Sequence, residues 1–566
     1  MELNVSIFGS SPNRRNVRGK LTDNNDMKNL HNALFLFFSL LSINSFGQTW
    51  NWATQSTGST TTGLNLPNDI VIDNDKNSYV VGQFDSPLIF GAVTLSPTLK
   101  NIFVAKFDSL GTCVWAKKAG AFAVSSGMSI TIDQNQDLII CGSFYSSANF
   151  DTTTITSNGQ SDIFIAKINS SGVWQWVKSY GGGSYDSGNQ ISTDINNNIY
   201  LTGTSVGTFM LDTCQINGLG GYDAFVARFS SSGTCLWVKN TLGIGNEKGT
   251  CITVSPNGTV YVGGVYSGDP IVFSDTLNSI GQIDEYDFIS KLDSNGYSGW
   301  SKQLSCGAVN NMFGINGLVS DKSDNVYFTG NFAYNCQLDT FLFVDPPTAL
   351  RNSYIAKLDS ASNVLWAKKG SGPTNNWGSA IFVDENNYCF VTGLYTDSLN
   401  FYDCASNNIG KNGYIVKLDS LGNCMCIDDV DNLYPSSIYV NPNTFWLTGY
   451  FSNTATFGGY TLTTSNSAEI FVSNSTICPV FMSVFESNQI SENLLLYPNP
   501  SSTSISINFK STDQYVIEIY SSFGQLAIRR TIKSTDTINI NELMNGIYFV
   551  KIFNDQTFNS ATLIKQ

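Results

Sequence analysis

Apolar positions in this chain fall in short runs rich in Val, Ile, Phe and Tyr, interrupted by Gly, Asn, Asp and Ser. That pattern predicts many short β-strands joined by tight turns, with no long stretch of helical periodicity. Residues 129–133, 138–144, 162–169 and 173–178 read as four successive strands, separated by turn sequences such as Asp133-Gln-Asn-Gln-Asp137 and Asn169-Ser-Ser-Gly172. The strands are apolar on both faces, as sheets stacked between neighbours require.

This four-strand unit recurs. Its third strand is written as Phe103-Val-Ala-Lys-Phe-Asp-Ser109, Phe164-Ile-Ala-Lys-Ile-Asn-Ser170, Phe225-Val-Ala-Arg-Phe-Ser-Ser231, Phe288-Ile-Ser-Lys-Leu-Asp-Ser294, Tyr354-Ile-Ala-Lys-Leu-Asp-Ser360 and Tyr414-Ile-Val-Lys-Leu-Asp-Ser420, with a degraded copy from Phe471. Upstream of each lies a strand ending in glycine, at Gly82, Gly142, Gly203, Gly264, Gly330, Gly393 and Gly449. The fourth strand carries Trp115, Trp176, Trp237, Trp300 or Trp366, with Cys426 in the sixth unit. The seventh unit lacks a fourth strand of its own. Trp50-Asn51-Trp52-Ala53 copies Trp174-Gln175-Trp176-Val177, so the start of the chain is expected to complete the last unit and close a ring, leaving no open sheet edge. Residues 48–475 are thus predicted to form a seven-bladed β-propeller of about 61 residues per blade.

An apolar run at residues 33–43, preceded by Lys28 and His31 and followed by Ser45-Phe46-Gly47, predicts a signal peptide over 27–47, with residues 1–26 a mis-set start. The run is too short for a stable membrane span. Its removal takes away five basic and three acidic residues, leaving 25 basic, 41 acidic and a net charge of −16. Such acidity disfavours nucleic acid and anionic membranes as partners. The single His31 departs with the signal peptide, and the remaining arginines are Arg228, Arg351, Arg529 and Arg530. Histidine-based nucleophilic triads and His-ligated zinc are excluded, as are sites that clamp a carboxylate with three propeller arginines. All 12 cysteines lie in the exported part, where disulfides are allowed but their pairing is not deducible. Cys113, Cys235 and Cys424 share one repeat position in non-adjacent units and are not expected to bridge one another; Cys424 and Cys426 read as core packing.

Asn198-Ile-Tyr-Leu-Thr-Gly203 and Asp223-Ala-Phe-Val-Ala-Arg-Phe229 resemble the bacterial SBBP-type β-propeller repeat, a likeness that implies the fold and no common activity. Beyond a linker at 476–493, residues 494–566 change rhythm, and strands at 504–509, 515–520 and 546–553 predict a small β-sandwich. There Tyr497-Pro498-Asn499-Pro500, Gly524 within Ser522-Phe-Gly-Gln-Leu526, Gly546 and Tyr548 within Leu543-Met-Asn-Gly-Ile-Tyr548, and Lys565 resemble the type A sorting domain of type IX secretion. The resemblance implies export to the cell surface or medium, with the type IX machinery as a partner.

The chemical candidates are modest. Asp73-x-Asp75-x-Asn77, Asp133-x-Asn135-x-Asp137 and Asp194-x-Asn196-x-Asn198 resemble the start of a calcium loop but lack its glycine and bidentate glutamate, so they read as Asx turns. The repeated cation at Lys106, Lys167, Arg228, Lys291, Lys357 and Lys417 reads as packing or ion pairing rather than an anion-attracting ring. Asp108-x-x-Gly111-x-x-x-Trp115 reads as a strand lock. Asp428, Asp429 and Asp431, and the trio Asp284, Glu285 and Asp287, offer paired carboxylates for a polysaccharide hydrolase or lyase, although their closeness in sequence suggests solvated loops. Tyr185, Phe313, Trp377 and Tyr434 are placed in rim loops where they would stack on sugar rings, and the insertion at 331–352 adds Phe341, Phe343 and Asp339. The reading is a secreted or surface-attached, non-enzymatic module that binds a glycan or protein, with no metal, cofactor or catalytic residue assigned.

Overall fold

The structure is a computed structural model. It describes residues 50–60, 62–120, 124–278, 285–308, 314–333, 335–344, 351–401, 404–406, 411–441, 444–465, 468–476, 495–508, 515–521, 526–533, 536–553 and 558–566. The expected signal peptide, Phe313, Gly524, Asp284 and the linker beyond Thr476 lie outside the described residues. Those described are all-β, and none of them forms a helix long and apolar enough to cross a membrane.

Each repeat supplies four antiparallel strands in simple chain order, and the fourth sheet continues through Ser298–Ala308 into the ribbon Asn335–Leu338 and Phe341–Val344, making six strands. The first comprises Asn65–Ile72, Ser78–Phe84, Asn101–Phe107 and Cys113–Ala119. Five more follow, opening with Ser125–Ile132, Ser187–Thr193, Glu247–Val254, Ile315–Ser320 and Asn376–Val383. The seventh contains Leu433–Asn441, Thr444–Phe451 and Glu469–Thr476, and its fourth strand is Trp50–Gln55 from the start of the chain. That strand runs antiparallel to Glu469–Thr476, with Trp52 opposite Asn474 and Gln55 opposite Phe471. The expectation drawn from Trp50-Asn51-Trp52-Ala53 is therefore met at the level of strand pairing.

Successive sheets pack through their first strands. Asn65–Ile72 also touches Leu433–Asn441 and Thr444–Phe451. Asp69 shows how tightly this is tied. Its carboxylate accepts from Ser437 Oγ of the seventh sheet at 2.8 Å and from Ser129 Oγ and Ile130 N of the second at 2.8 and 3.0 Å. Each first strand has a bulge that pushes a carbonyl over the second strand. A Cβ at Gly82 would lie 2.1 Å from Leu66 O, and one at Gly203 2.0 Å from Ser187 O, so glycine is the residue that fits.

Two features lie beyond what the repeat pattern predicts. Between second and third strands most sheets add a two-stranded ribbon, as at Thr208–Leu211 with Cys214–Asn217. The 331–352 insertion is one of these, pairing Asn335–Leu338 with Phe341–Val344, and Phe343 is buried in the core, Phe341 packed against it, rather than presented at a rim. Three disulfides, Cys214–Cys235, Cys306–Cys336 and Cys404–Cys424, staple such ribbons to the fourth strand beside or before them. This corrects the core-packing assignment of Cys424.

The C-terminal unit has two sheets, one of Leu495–Tyr497, Ser504–Asn508 and Thr537–Asn539, the other of Leu526–Ile532, Tyr515–Ser521, Gly546–Phe553 and Phe558–Lys565. Ile505 and Ile538 from the first share a core with Ile517, Ile519, Val550 and Leu563 from the second. The two sheets thus share one apolar core. Asn499 holds its final strand, donating to Thr562 O at 2.6 Å and accepting from Ile564 N at 2.8 Å.

Candidate functional site

The two ends of the sheets differ in chemistry. At the end carrying the turns between first and second strands, every candidate group is engaged. Asp73 Oδ1 accepts from the backbone N–H of Asp75 and Asn77 at 2.9 and 2.8 Å, while Oδ2 accepts from Asn77 Nδ2 and Tyr79 Oη, both at 2.8 Å. Asp194 and Asp321 repeat this arrangement, so these carboxylates act as Asx turns. Lys106, Lys167, Arg228 and Lys357 pair with acids of these turns, while Lys291 donates to Ser360 O at 2.9 Å. Lys167 lies 2.7 Å from Asp133 and 3.1 Å from Asp137, and Lys357 lies 3.7 Å from Asp321 and 4.5 Å above the Tyr327 ring.

The Asp-x-x-Gly-x-x-x-Trp segments lock neighbouring sheets, with a different pairing from the one the spacing suggests. Gly111 faces Trp52 of the seventh sheet, Gly172 faces Trp115, Gly233 faces Trp176 and Gly296 faces Trp237. Each Trp therefore packs on the turn of the following sheet. Its indole N–H donates there as well, from Trp52 to Ser109 O at 2.9 Å and from Trp237 to Ser294 O at 3.0 Å.

The opposite end, where first strands begin and second strands finish, holds the aromatic candidates. Trp377 and Tyr434 stand within the strands Asn376–Val383 and Leu433–Asn441, not in loops. They occupy the same register, each preceding the residue opposite the glycine of its second strand, in adjacent sheets whose first strands touch. Tyr434 stacks on its cross-strand partner Tyr450 with centroids 4.6 Å apart and planes at 7°. All three are half-buried. The equivalent positions elsewhere are Leu66, Ser126, Ser187, Lys248 and Gly314, so the aromatic residues at this register belong to sheets six and seven. Tyr185 is exposed in a loop of the third sheet and meets the edge of Tyr145, a separate station at the same end.

The acidic groups are not in solvated loops, and this expectation is corrected. Asp428, Asp429 and Asp431 belong to the strand Cys424–Asp431, and Asp429 accepts from Ser406 Oγ at 2.7 Å. Burial raises the Asp428 carboxyl to about 6, with Asp429 adding to the effect. Glu285 and Asp287 are buried on Glu285–Leu292. Glu285 pairs with Lys248 at 3.5 Å, and Tyr354 Oη donates to Asp287 at 2.8 Å. Desolvation pushes Asp287 well above the usual carboxylate range.

Sequence reasoning missed a further set at this end. Where the third strand of one sheet meets the first strand of the next, the chain places Asp162 with Asp186 and Asp223 with Glu247, all buried. Burial lifts Asp186 and Asp223 to about 6, and Glu247 to about 7 with a contribution from Asp223. Asp162 and Asp223 sit in the strand signature itself, and the only cue in sequence is that Asn101, Asn352 and Asn412 take the same place in other repeats.

Comparison with known proteins agrees with this architecture. Residues 175–209 match the β-propeller repeat model called SBBP, and residues 495–566 match the secretion system C-terminal sorting domain. The chain carries a propeller repeat and a type IX sorting domain. The sorting domain implies export to the cell surface or beyond and engagement with the secretion machinery. An uncharacterized WD repeat-containing protein of Acanthamoeba polyphaga mimivirus is 24% identical over 406 residues, covering 58% of this chain and 29% of that protein, so the chain spans under a third of the length of this relative. Among solved structures, a protein of unknown function from Dyadobacter fermentans is 10% identical with a TM-score of 0.33, covering 76% of this chain and 97% of its own. A protein from Bacteroides vulgatus, in a family of unknown function, is 8% identical with a TM-score of 0.30, covering 76% and 97% respectively.

Proposed function

We propose that residues 48–475 form a seven-bladed β-propeller closed by the N-terminal strand, and that it serves as a non-catalytic binding module for a glycan or a surface protein. A signal peptide and the type IX machinery deliver it to the cell surface or the medium. Closure is supported by the pairing of Trp50–Gln55 with Glu469–Thr476 and by Asp69, which joins sheets seven, one and two. The binding role is supported by one observation: Trp377 and the stacked Tyr434 and Tyr450 are half-buried at matching register on adjacent sheets. Aromatic faces of this kind pack against the C–H faces of sugars or against apolar side chains, and rigid rings lose little entropy on binding.

The test is a glycan array together with pull-downs from envelope extracts, using wild-type protein and a Trp377→Ala/Tyr434→Ala variant. Removing two aromatic contacts should weaken binding by at least tenfold, from about 1.4 kcal/mol or more of lost contact energy. Binding that survives both substitutions unchanged refutes this site. Turnover of a polysaccharide that is lost in Asp287→Asn or Asp428→Asn refutes the non-catalytic reading in favour of a carboxylate-dependent hydrolase or lyase.

A further inference from the structure

The buried acid pair at the junction of the third and fourth sheets has no internal explanation. Asp223 and Glu247 are both 0% exposed, and the two strands meet directly, Glu247 N donating to Tyr222 O at 2.7 Å. Asp223 Oδ2 accepts from Leu219 N at 2.9 Å, and Glu247 Oε2 has a long contact of 3.4 Å from Thr241 Oγ1. Asp223 Oδ1 and Glu247 Oε1 are buried with no hydrogen-bond partner. Neither carboxylate pairs with a lysine or arginine among the described residues. Two buried carboxylates with open oxygens are unfavourable unless a proton or a cation joins them.

The equivalent junctions supply an internal control. Between sheets five and six the same places hold Asn352 and Asn376, which satisfy each other: Asn376 Nδ2 donates to Asn352 Oδ1 at 2.6 Å, and Asn376 Oδ1 accepts from Ser353 N and Oγ at 2.8 Å. At the closing junction Glu469 is also buried, but Ser59 N and Oγ occupy Oε1 at 3.0 and 2.7 Å and Ser56 Oγ occupies Oε2 at 2.5 Å. Glycines of the adjoining loops border the acid pair. A Cβ at Gly243 would stand 3.3 Å from both Glu247 oxygens, one at Gly245 would stand 3.0 Å from Oε1, and one at Gly218 would stand 2.8 Å from Asp223 Oδ2. A side chain at Gly243 would crowd both Glu247 oxygens, while Gly245 and Gly218 also face Ser267 O and Gly207 O, at 2.1 and 2.5 Å from such a Cβ.

We propose that Asp223 and Glu247 bind a divalent cation of the calcium type, which links the third and fourth sheets. The donor set is all oxygen, which selects hard cations over zinc or copper. No third acidic, histidine or cysteine side chain completes a cluster among the described residues, so carbonyls of the glycine-rich loops and water supply the remaining ligands. This site is independent of the aromatic face.

The experiment uses protein stripped with EDTA and dialysed at pH 7.5, titrated with calcium chloride by calorimetry and by thermal unfolding. Wild type should take up calcium and unfold at higher temperature when it is present. Asp223→Asn and Glu247→Gln, separately and together, should each reduce calcium affinity at least tenfold while unfolding, in EDTA, at or above the wild-type temperature, because repulsion is removed. That second readout separates a lost ligand from a failed fold. Absence of any calcium-dependent heat and unfolding shift in wild type overturns the proposal, as does calcium binding retained in the double variant.

Discussion

Trp52→Ala tests whether the first strand of the chain belongs to the body of the fold. Trp52 is 7% exposed, and its core neighbours include Ile70, Val80, Trp446 and Val472, drawn from the first and seventh sheets. Its indole N–H donates to Ser109 O at 2.9 Å. Truncating a buried tryptophan costs about 3–5 kcal/mol, of which the lost hydrogen bond is about 1 kcal/mol. The comparator is Trp366, also 7% exposed, which donates to Ser420 O at 3.1 Å from a sheet made wholly of consecutive chain. If the ring is closed as argued, Trp52→Ala and Trp366→Ala should lower the stability read from urea unfolding, followed by circular dichroism, by similar amounts. A Trp52→Ala cost below about 0.5 kcal/mol, the size of an ordinary surface change, would refute closure. Coupling gives a second check. A Cβ at Gly111, whose φ is +82°, would lie 2.5 Å from the Trp52 ring. Gly111→Ala should therefore be less damaging in the Trp52→Ala background, by about 1 kcal/mol or more, and strict additivity would count against direct contact.

Acid should stabilise the folded chain through the junction carboxylates when divalent cations are absent. Asp186 and Asp223 are raised to about 6 and Glu247 to about 7, above the ordinary 3.8 and 4.5, so folding takes up protons. Their favourable contribution is complete below about pH 4 and is lost as pH rises through 6 to 7. The unfolding temperature of wild type relative to Glu247→Gln in EDTA should fall between pH 4.5 and 7.5, and a flat difference would contradict the assignment. Reduction of the disulfides should also destabilise the ribbons they staple. Cys214 and Cys235 are 21 residues apart, a loop for which cross-linking contributes about 3 kcal/mol. Cys214→Ser should lower the unfolding temperature under oxidising conditions and abolish the effect of reductant on that ribbon, as followed by hydrogen exchange of residues 208–217.

The strands and their turns were legible because they are written within a few residues. The two-sided apolar runs, the Asx and glycine turns and the spacing of the Phe-x-Ala-Lys signature place each four-stranded unit without knowledge of its neighbours. The role of Trp50-Asn51-Trp52-Ala53 was also readable, since a repeat with a missing strand and a stray copy of that strand have one economical solution. Contacts between units were not readable from spacing. Gly111 and Trp115 are close in sequence, yet the turn of one sheet faces the tryptophan of the sheet before it, so Gly111 meets Trp52. Trp377 and Tyr434 come to matching places only because the first strands of adjacent sheets pack together. Asp223 and Glu247 belong to different sheets, and nothing local distinguishes them from solvated acids until packing removes the water around both. Local alternation and turn chemistry specify a strand, whereas burial and electrostatic coupling depend on which surfaces the assembled sheets bring together.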